Sequence, residues 1–139
     1  MTALKTTLTG YAVYRGREGH WSFLLHRITG LGTGLFLTVH ILDIAFVYLA
    51  PDLFANAIRL YQSTLFGIGE VALVFCVFFH GVNGLRIAFL DLVKPDWWTI
   101  SKQRNWTRVT LAISLALWLP SAAVMLYNLL YHNFGLFGG

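Results

Sequence analysis

Charged residues and cysteine are both scarce in this sequence. Asp, Glu, Lys and Arg make up only 12% of the 139 residues, whereas hydrophobic residues make up 57% and the mean hydropathy is +0.64. A soluble domain of this size does not need so apolar a composition, which therefore indicates a membrane protein. The only cysteine, Cys76, has no partner in the chain for a disulfide or a metal–sulfur site.

Three long apolar runs occupy residues 23–49, 65–90 and 109–131. Each reaches the ~20 residues that a helix needs to cross a hydrocarbon core of about 30 Å. They predict an all-α membrane protein with three transmembrane helices, forming one domain over residues 1–139. No continuous apolar run precedes the first span, so we expect no cleavable signal peptide.

The basic residues indicate how these spans are oriented. Most of them precede the first span or lie between the second and third, whereas the loop at 50–64 carries Asp52 and Arg59, which cancel. By the positive-inside rule, the N-terminus and the 91–108 loop are expected to be cytoplasmic. The charge therefore reflects topology and not nucleic-acid binding. The residues concerned are Lys5, Arg15, Arg17, Lys94, Lys102, Arg104 and Arg108.

The second span contains the polar stretch HGVNGLR, which begins at His80. A histidine inside a span is costly unless it is paired, lines a cavity or binds something, and an imidazole is a suitable axial ligand for haem iron. Gly84 lies one turn on and leaves room for a flat macrocycle, while Arg86 is placed to pair with a haem propionate. The alternative is an interhelical hydrogen bond from His80, with Gly84 serving close helix packing.

A second histidine, His40, lies deep in the first span. Because the first helix runs outward and the second returns inward, His40 and His80 should differ in depth by roughly 5 to 15 Å. One haem cannot take both as ligands, but two stacked haems could take one each. Alternatively, His40 donates a hydrogen bond to Asp43 or to a partner helix. Glu70, near the outer end of the second span, is either interfacial or part of a proton path.

The inner end of the first span gathers hydrogen-bonding side chains. Ser22, His26 and Arg27 could hold a quinone carbonyl or a polar headgroup there. Arg27 could instead be a snorkelling anchor at the membrane surface. Gly30 and Gly34 form a GxxxG motif, which is typical of close helix packing.

Three segments taken together, SFLLHRITG, HGVNGLR and FLDLVKP, resemble the cytochrome b membrane-anchor subunit of succinate dehydrogenase, respiratory complex II. The resemblance covers nearly the whole chain and includes the paired motifs HRxTG and HxxxGxR. It implies a multi-pass protein of a prokaryotic plasma membrane, within a hetero-oligomeric helix bundle. The implied partners are a second hydrophobic anchor subunit, an iron–sulfur subunit and a flavoprotein, with membrane lipids around them.

The resemblance also implies roles for individual residues. His80 matches the haem b ligand, whose second axial histidine comes from the other anchor subunit, and Arg86 matches an arginine near the haem propionates. Arg27 matches an arginine of the quinone site. The family serine of that site stands four residues before the arginine in ubiquinone-reducing relatives, whereas here Ser22 stands five before it and Phe23 takes that place.

The stretch TGLGTGLFLTVH, which ends at His40, is similar in spacing to the first span of two-haem, menaquinone-linked anchors. His40 is thus implied as the ligand of a second haem, and menaquinone is favoured over ubiquinone. His26, one of the donors at the inner end of the first span, is a candidate contact of the quinone or of a haem propionate. Those relatives have five helices in one polypeptide, so a chain with three spans implies the two-subunit arrangement.

The predicted function is that of a subunit of succinate:quinone oxidoreductase that is not itself catalytic, since succinate oxidation would belong to the flavoprotein. A fumarate reductase anchor of the same architecture and a haem-free structural or assembly subunit are the alternatives. A stand-alone membrane cytochrome would have to supply both axial ligands of each haem, for which His40 and His80 are too few.

Overall fold

The computed structural model describes residue 10, residues 18–97 and residues 99–135, so that Lys5, Arg15 and Arg17 lie outside the described residues. Over residues 18–97 and 99–135 the chain forms helices joined by short connections. The α-helices are α1 (Glu18–Leu49), α2 (Pro51–Tyr61), α3 (Thr64–Leu92) and α4 (Ile100–Phe134), and a 3-10 turn at Pro95–Trp97 lies between α3 and α4.

Helices α1, α3 and α4 are each long and apolar enough to cross a membrane, which confirms the three predicted spans. All three extend beyond their apolar runs, and α4 begins at Ile100 although its apolar run begins at 109. The extension follows from helix geometry, because backbone hydrogen bonds continue through polar residues such as Arg104 and Arg108 where the helix leaves the apolar region. Every regular element in the part of the chain that the structure describes is a helix, as expected for an all-α protein.

The connection at 50–64, expected from the sequence to be a loop, contains helix α2 instead. Pro51 is its first residue, where the missing N–H costs nothing, and Asp52 and Arg59 lie at the ends that suit their charges. Phe54, Ala57 and Tyr61 recur at helical spacing and are its partly buried residues on one face. This face lies against the neighbouring helices, mainly α1.

Helix α3 is the central helix and packs against both α1 and α4, which contact each other much less. The buried positions combine Phe79 and Leu90 with several small or polar side chains, while most Leu, Ile and Val side chains point outward. This arrangement is expected for helices in lipid, where small residues permit close approach and apolar residues need not be buried. The buried polar residues are Ser22, Thr29, Asn83, Thr110 and Ser114.

Polar contacts join the helices at both ends of the bundle. At the end that we call the basic end, Arg108 of α4 forms an ion pair with Glu18 of α1, with Nε 2.9 Å from Oε2. In the middle, the Nε1 of Trp118 donates to the carbonyl oxygen of Val71 at 2.9 Å. At the opposite end, which we call the α2 end, the Nδ2 of Asn133 donates to the carbonyl of Gln62. These contacts fix α4 against α1 and α3 along its length.

Candidate functional site

Two histidines meet where α1 crosses α3. The imidazole rings of His26 and His80 are stacked, with centroids 4.2 Å apart and planes 5° from parallel. The Nδ1 of His80 lies 3.2 Å from the main-chain carbonyl oxygen of His26. Because a carbonyl oxygen only accepts, this hydrogen bond requires the hydrogen to be on Nδ1. The Nε2 of His80 then carries the lone pair that can bind a metal.

Glycine on α1 makes this approach possible. A methyl carbon placed on Gly30 would lie 2.8 Å from the Cε1 of His80 and 3.1 Å from its Nδ1. The ring therefore occupies the space that a side chain at position 30 would need. Gly84, one turn after His80, faces the His26 ring, since a methyl carbon there would lie 3.8 Å from the Cε1 of His26. Gly34, the second glycine of the GxxxG motif, has nothing within 4 Å of that position.

A chain of polar side chains continues from the two histidines toward the basic end. The hydroxyl of Ser22 donates to the Oδ1 of the buried Asn83 at 3.3 Å. The Nη1 of Arg86 donates to the hydroxyl of Thr107 at 2.9 Å and lies 3.5 Å from the Oγ of Ser22. Three helices thus contribute to one network, with Ser22 on α1, Asn83 and Arg86 on α3, and Thr107 on α4.

The guanidinium of Arg86 is partly buried and has no carboxylate partner among the described residues. Its Nε is buried and has no hydrogen-bond partner in that part of the chain. Hydroxyl groups satisfy hydrogen bonds but do not neutralise a charge, so a partly buried guanidinium in these surroundings favours an anionic ligand.

The structure separates two of the residues expected at the quinone site. Arg27 is exposed, with its guanidinium carbon 4.7 Å from the centroid of the Phe23 ring. Ser22 is buried and belongs to the Arg86 network. His26 lies with Ser22 on the side that faces α3 and not with Arg27. Arg27 therefore presents its charge to the outside of this three-span bundle.

His40 lies ten residues beyond Gly30, which is level with His80, and so about 15 Å farther along α1 at 1.5 Å per residue. Its ring is exposed and is stacked on Phe36 with centroids 5.4 Å apart. Asp43, considered as a hydrogen-bond partner of His40, accepts a hydrogen bond from the hydroxyl of Tyr61 at 2.5 Å. His40 thus faces away from the bundle, where a partner chain can reach it.

Two clefts open on the surface of the bundle. A cleft of about 450 Å³ lies between α1 and α4 at the basic end and reaches Ser22 and Thr107. A larger one of about 770 Å³ lies at the α2 end and is lined by Tyr61 and the exposed Glu70, among others. The hydrogen bond to Asp43 raises the pKa of Tyr61, and burial adds to the effect. His40 lines neither of these two clefts, and its ring is exposed.

Three residues of this site were not assigned a site role from the sequence. Asn83 lies in the stretch HGVNGLR. An amide side chain in an apolar span needs hydrogen-bond partners, and this could have predicted that Asn83 belongs to a polar network. Gly30 was interpreted only as helix packing, because its contact with His80 depends on how α1 and α3 are aligned. Thr107 gave no signal, since it precedes the apolar run of the third span.

A known family matches the part of the sequence that contains this site. The family described as "Succinate dehydrogenase/Fumarate reductase transmembrane subunit" matches residues 3–120, and the chain belongs to that family. The chain is also 38% identical over 79 residues to the "Succinate dehydrogenase 2 membrane subunit SdhC" of Mycobacterium tuberculosis. That alignment covers 57% of this chain and 58% of the relative, so the chain matches a little over half of the relative's length.

The residues present fit a haem group as this family implies it. The Nδ1 of His80 is engaged by the His26 carbonyl, and its Nε2 has no hydrogen-bond partner among the described residues. Metal-bound histidines commonly donate their second N–H to a carbonyl in this way. Arg86, a positive charge without a carboxylate partner in the described residues, is available for a propionate. The His26 ring lies at the same level, but it is stacked parallel to the His80 ring, so the two imidazoles cannot bind one iron from opposite sides.

Proposed function

We propose that this chain is the cytochrome b membrane anchor of a succinate:quinone oxidoreductase. Family membership and three apolar helices support the anchor role, and the His80 cluster supports the cytochrome role. The single observation that carries the proposal is the hydrogen bond from Nδ1 of His80 to the His26 carbonyl, which leaves Nε2 for iron. Haem b, when bound, supplies a one-electron redox centre inside the membrane.

Each residue of the inner cluster has a distinct task in this proposal. His80 would hold the haem iron through its Nε2, and the main-chain carbonyl of His26 holds the imidazole in the tautomer that this requires. Arg86 pairs with a propionate, and Thr107 and Ser22 hold the guanidinium in place by accepting its hydrogen bonds. Gly84 gives room beside the His26 ring, which is stacked parallel to the imidazole of His80.

We assign the quinone contact of this chain to Arg27. Its exposed guanidinium lies in the half of α1 nearer the basic end, which we assign to the cytoplasmic side, where an iron–sulfur subunit would deliver electrons. A positively charged donor there orients a quinone oxygen and stabilises the negative charge that develops on reduction. Ser22 lies in the Arg86 network on the buried side, so we assign it a role next to the propionate and not the quinone contact expected from the sequence.

His40 is proposed as the ligand of a second, outer haem b. It is exposed on α1, about 15 Å beyond the level of His80 at 1.5 Å per helical residue, so one haem cannot use both. Two haems favour menaquinone as the electron acceptor. A second hydrophobic subunit would provide the remaining axial ligands, and a flavoprotein and an iron–sulfur subunit would sit on the basic end in the cytoplasm of a prokaryote.

A fumarate reductase anchor is the second candidate, because the matched family includes both enzymes. Its anchor would use the same residues, since the direction of electron flow depends on the potentials of the quinone and the cofactors. A haem-free anchor would need no axial ligand and would leave the free Nε2 of His80 and the charge of Arg86 unused.

The proposal is tested by isolating the complex through an affinity tag on this chain. We expect a flavoprotein, an iron–sulfur protein and a second hydrophobic chain to copurify with a haem b spectrum and with succinate:quinone activity. His80→Ala should remove the inner haem signal, whereas the control His132→Ala, at the α2 end, should keep it. Isolation of this chain without hydrophilic subunits would overturn the anchor role, and a complex without haem would overturn the cytochrome role.

A further inference from the structure

We infer that Gly30 is a positioning residue, which together with the main-chain carbonyl of His26 fixes the orientation and tautomer of the His80 imidazole. This inference rests on the proposed haem-binding function and deepens it. It assigns to Gly30 a task that the sequence motif alone would give to helix packing.

The first support is steric. Gly30 lies one turn after His26 on α1, and the His80 ring fills the position above it. A methyl carbon on Gly30 would lie 2.8 Å from Cε1, whereas carbon atoms in favourable contact are about 3.5 to 4.0 Å apart. The ring would have to move by several tenths of an ångström or turn. It is therefore held between position 30 and the parallel His26 ring, 4.2 Å away.

The second support is the hydrogen bond that this position allows. The His26 carbonyl oxygen accepts a hydrogen bond from the Nδ1 of His80 at 3.2 Å, while the Thr29 hydroxyl lies 3.2 Å from it and makes its shorter hydrogen bond, 2.8 Å, to the Leu25 carbonyl. If the His80 ring moved away from α1, this hydrogen bond would lengthen and the hydrogen would no longer be fixed on Nδ1. In a metal-bound histidine, the hydrogen bond of the other ring nitrogen sets the orientation and basicity of the imidazole. Its loss would therefore change how the imidazole binds the iron.

The glycines nearby provide matched controls. A methyl carbon on Gly34 would meet nothing within 4 Å in the described part of this chain, so Gly34→Ala adds the same methyl group to the same helix without a contact there. A methyl carbon on Gly32 would lie 3.3 Å from the Sγ of Cys76. Gly32→Ala therefore crowds the α1–α3 interface at Cys76 without a contact to His80. Neither control residue belongs to the haem site.

The experiment compares the purified complexes that carry Gly30→Ala, Gly32→Ala and Gly34→Ala. The readouts are haem b per flavin, the midpoint potential of the haem, and the electron paramagnetic resonance spectrum of the ferric haem. For Gly30→Ala we expect roughly 10-fold weaker haem retention, the lower end of the effect of losing an outer hydrogen-bond partner, or a shifted potential and spectrum. Gly34→Ala and Gly32→Ala should match the unmodified complex.

The inference is overturned if Gly30→Ala keeps the haem content, potential and spectrum of the unmodified complex, or if Gly32→Ala changes them equally. Absence of haem from the unmodified complex would instead refute the proposed function, so the two failures are distinguishable. If Gly30→Ala fails to assemble, a second comparison uses His80→Ala alone and His80→Ala combined with Gly30→Ala. The quantity measured is the flavin that each complex retains in the membrane. Equal retention would support the clash with the imidazole, and a further loss would refute it.

Discussion

Replacement of Arg86 by Gln should weaken haem binding and yet leave the haem-free protein as stable as before, or more stable. The guanidinium is partly buried, its Nη1 donates to Thr107 at 2.9 Å, and its Nε has no partner in the part of the chain that the structure describes. Removing water from a charge is costly, and hydroxyl partners offset that cost only in part. Without the propionate, the charge therefore contributes little to stability.

The size of the haem effect follows from the loss of a hydrogen bond to a charged group. Such a bond is worth about 1.5 to 3 kcal/mol, which corresponds to roughly 10- to 100-fold weaker haem retention. Thr107→Val is the matched control, because it removes the shortest hydrogen bond of Arg86 but keeps its charge. Its effect should be smaller, about 1 kcal/mol or less than roughly tenfold.

The assay has two parts. Transfer of haem from the purified complex to an excess of a haem-accepting protein measures retention, and thermal unfolding of complex prepared under haem limitation measures the stability of the haem-free state. We expect Arg86→Gln to lose haem faster without a lower unfolding temperature. Unchanged haem retention together with a lower unfolding temperature would show that Arg86 is only structural, and would refute its pairing with a propionate.

Three further predictions concern other parts of the molecule. His40→Ala should remove one haem signal and leave the signal that His80→Ala removes, because the two levels are about 15 Å apart; loss of both signals in either variant would contradict separate haems. Arg27→Ala should impair reduction of quinone but not of a soluble artificial acceptor, and equal loss of both activities would point to assembly instead. Trp118→Phe should destabilise the bundle by about 0.6 kcal/mol, the usual value for a hydrogen bond between membrane helices, because the bond to Val71 is lost; an unchanged unfolding transition of the purified complex would contradict it.

The three spans could be predicted from the sequence because apolar runs report directly on membrane crossing. Helix α2 was missed, although Phe54, Ala57 and Tyr61 have helical spacing, because the segment is short and joins two spans. Its terminal residue forms the contact with Asp43, so missing the helix also meant missing the partner of that carboxylate.

The inner cluster could be predicted only in part. His80 and Arg86 were singled out because polar groups in a span need partners, but the stacking on His26 depends on how α1 and α3 are aligned, which no local pattern encodes. The separation of Ser22 from Arg27 was within reach of the sequence. Residues five apart on a helix differ by about 140° around its axis, so they cannot share one face.

The most direct test of the cytochrome assignment is the ratio of haem b to flavin in the purified complex, from a redox difference spectrum and an acid-extracted flavin assay. Two haems per flavin are expected if His40 and His80 each bind one. A ratio of one would keep His80 as a ligand and contradict the role of His40. A ratio of zero would contradict both and leave this chain as an anchor without haem.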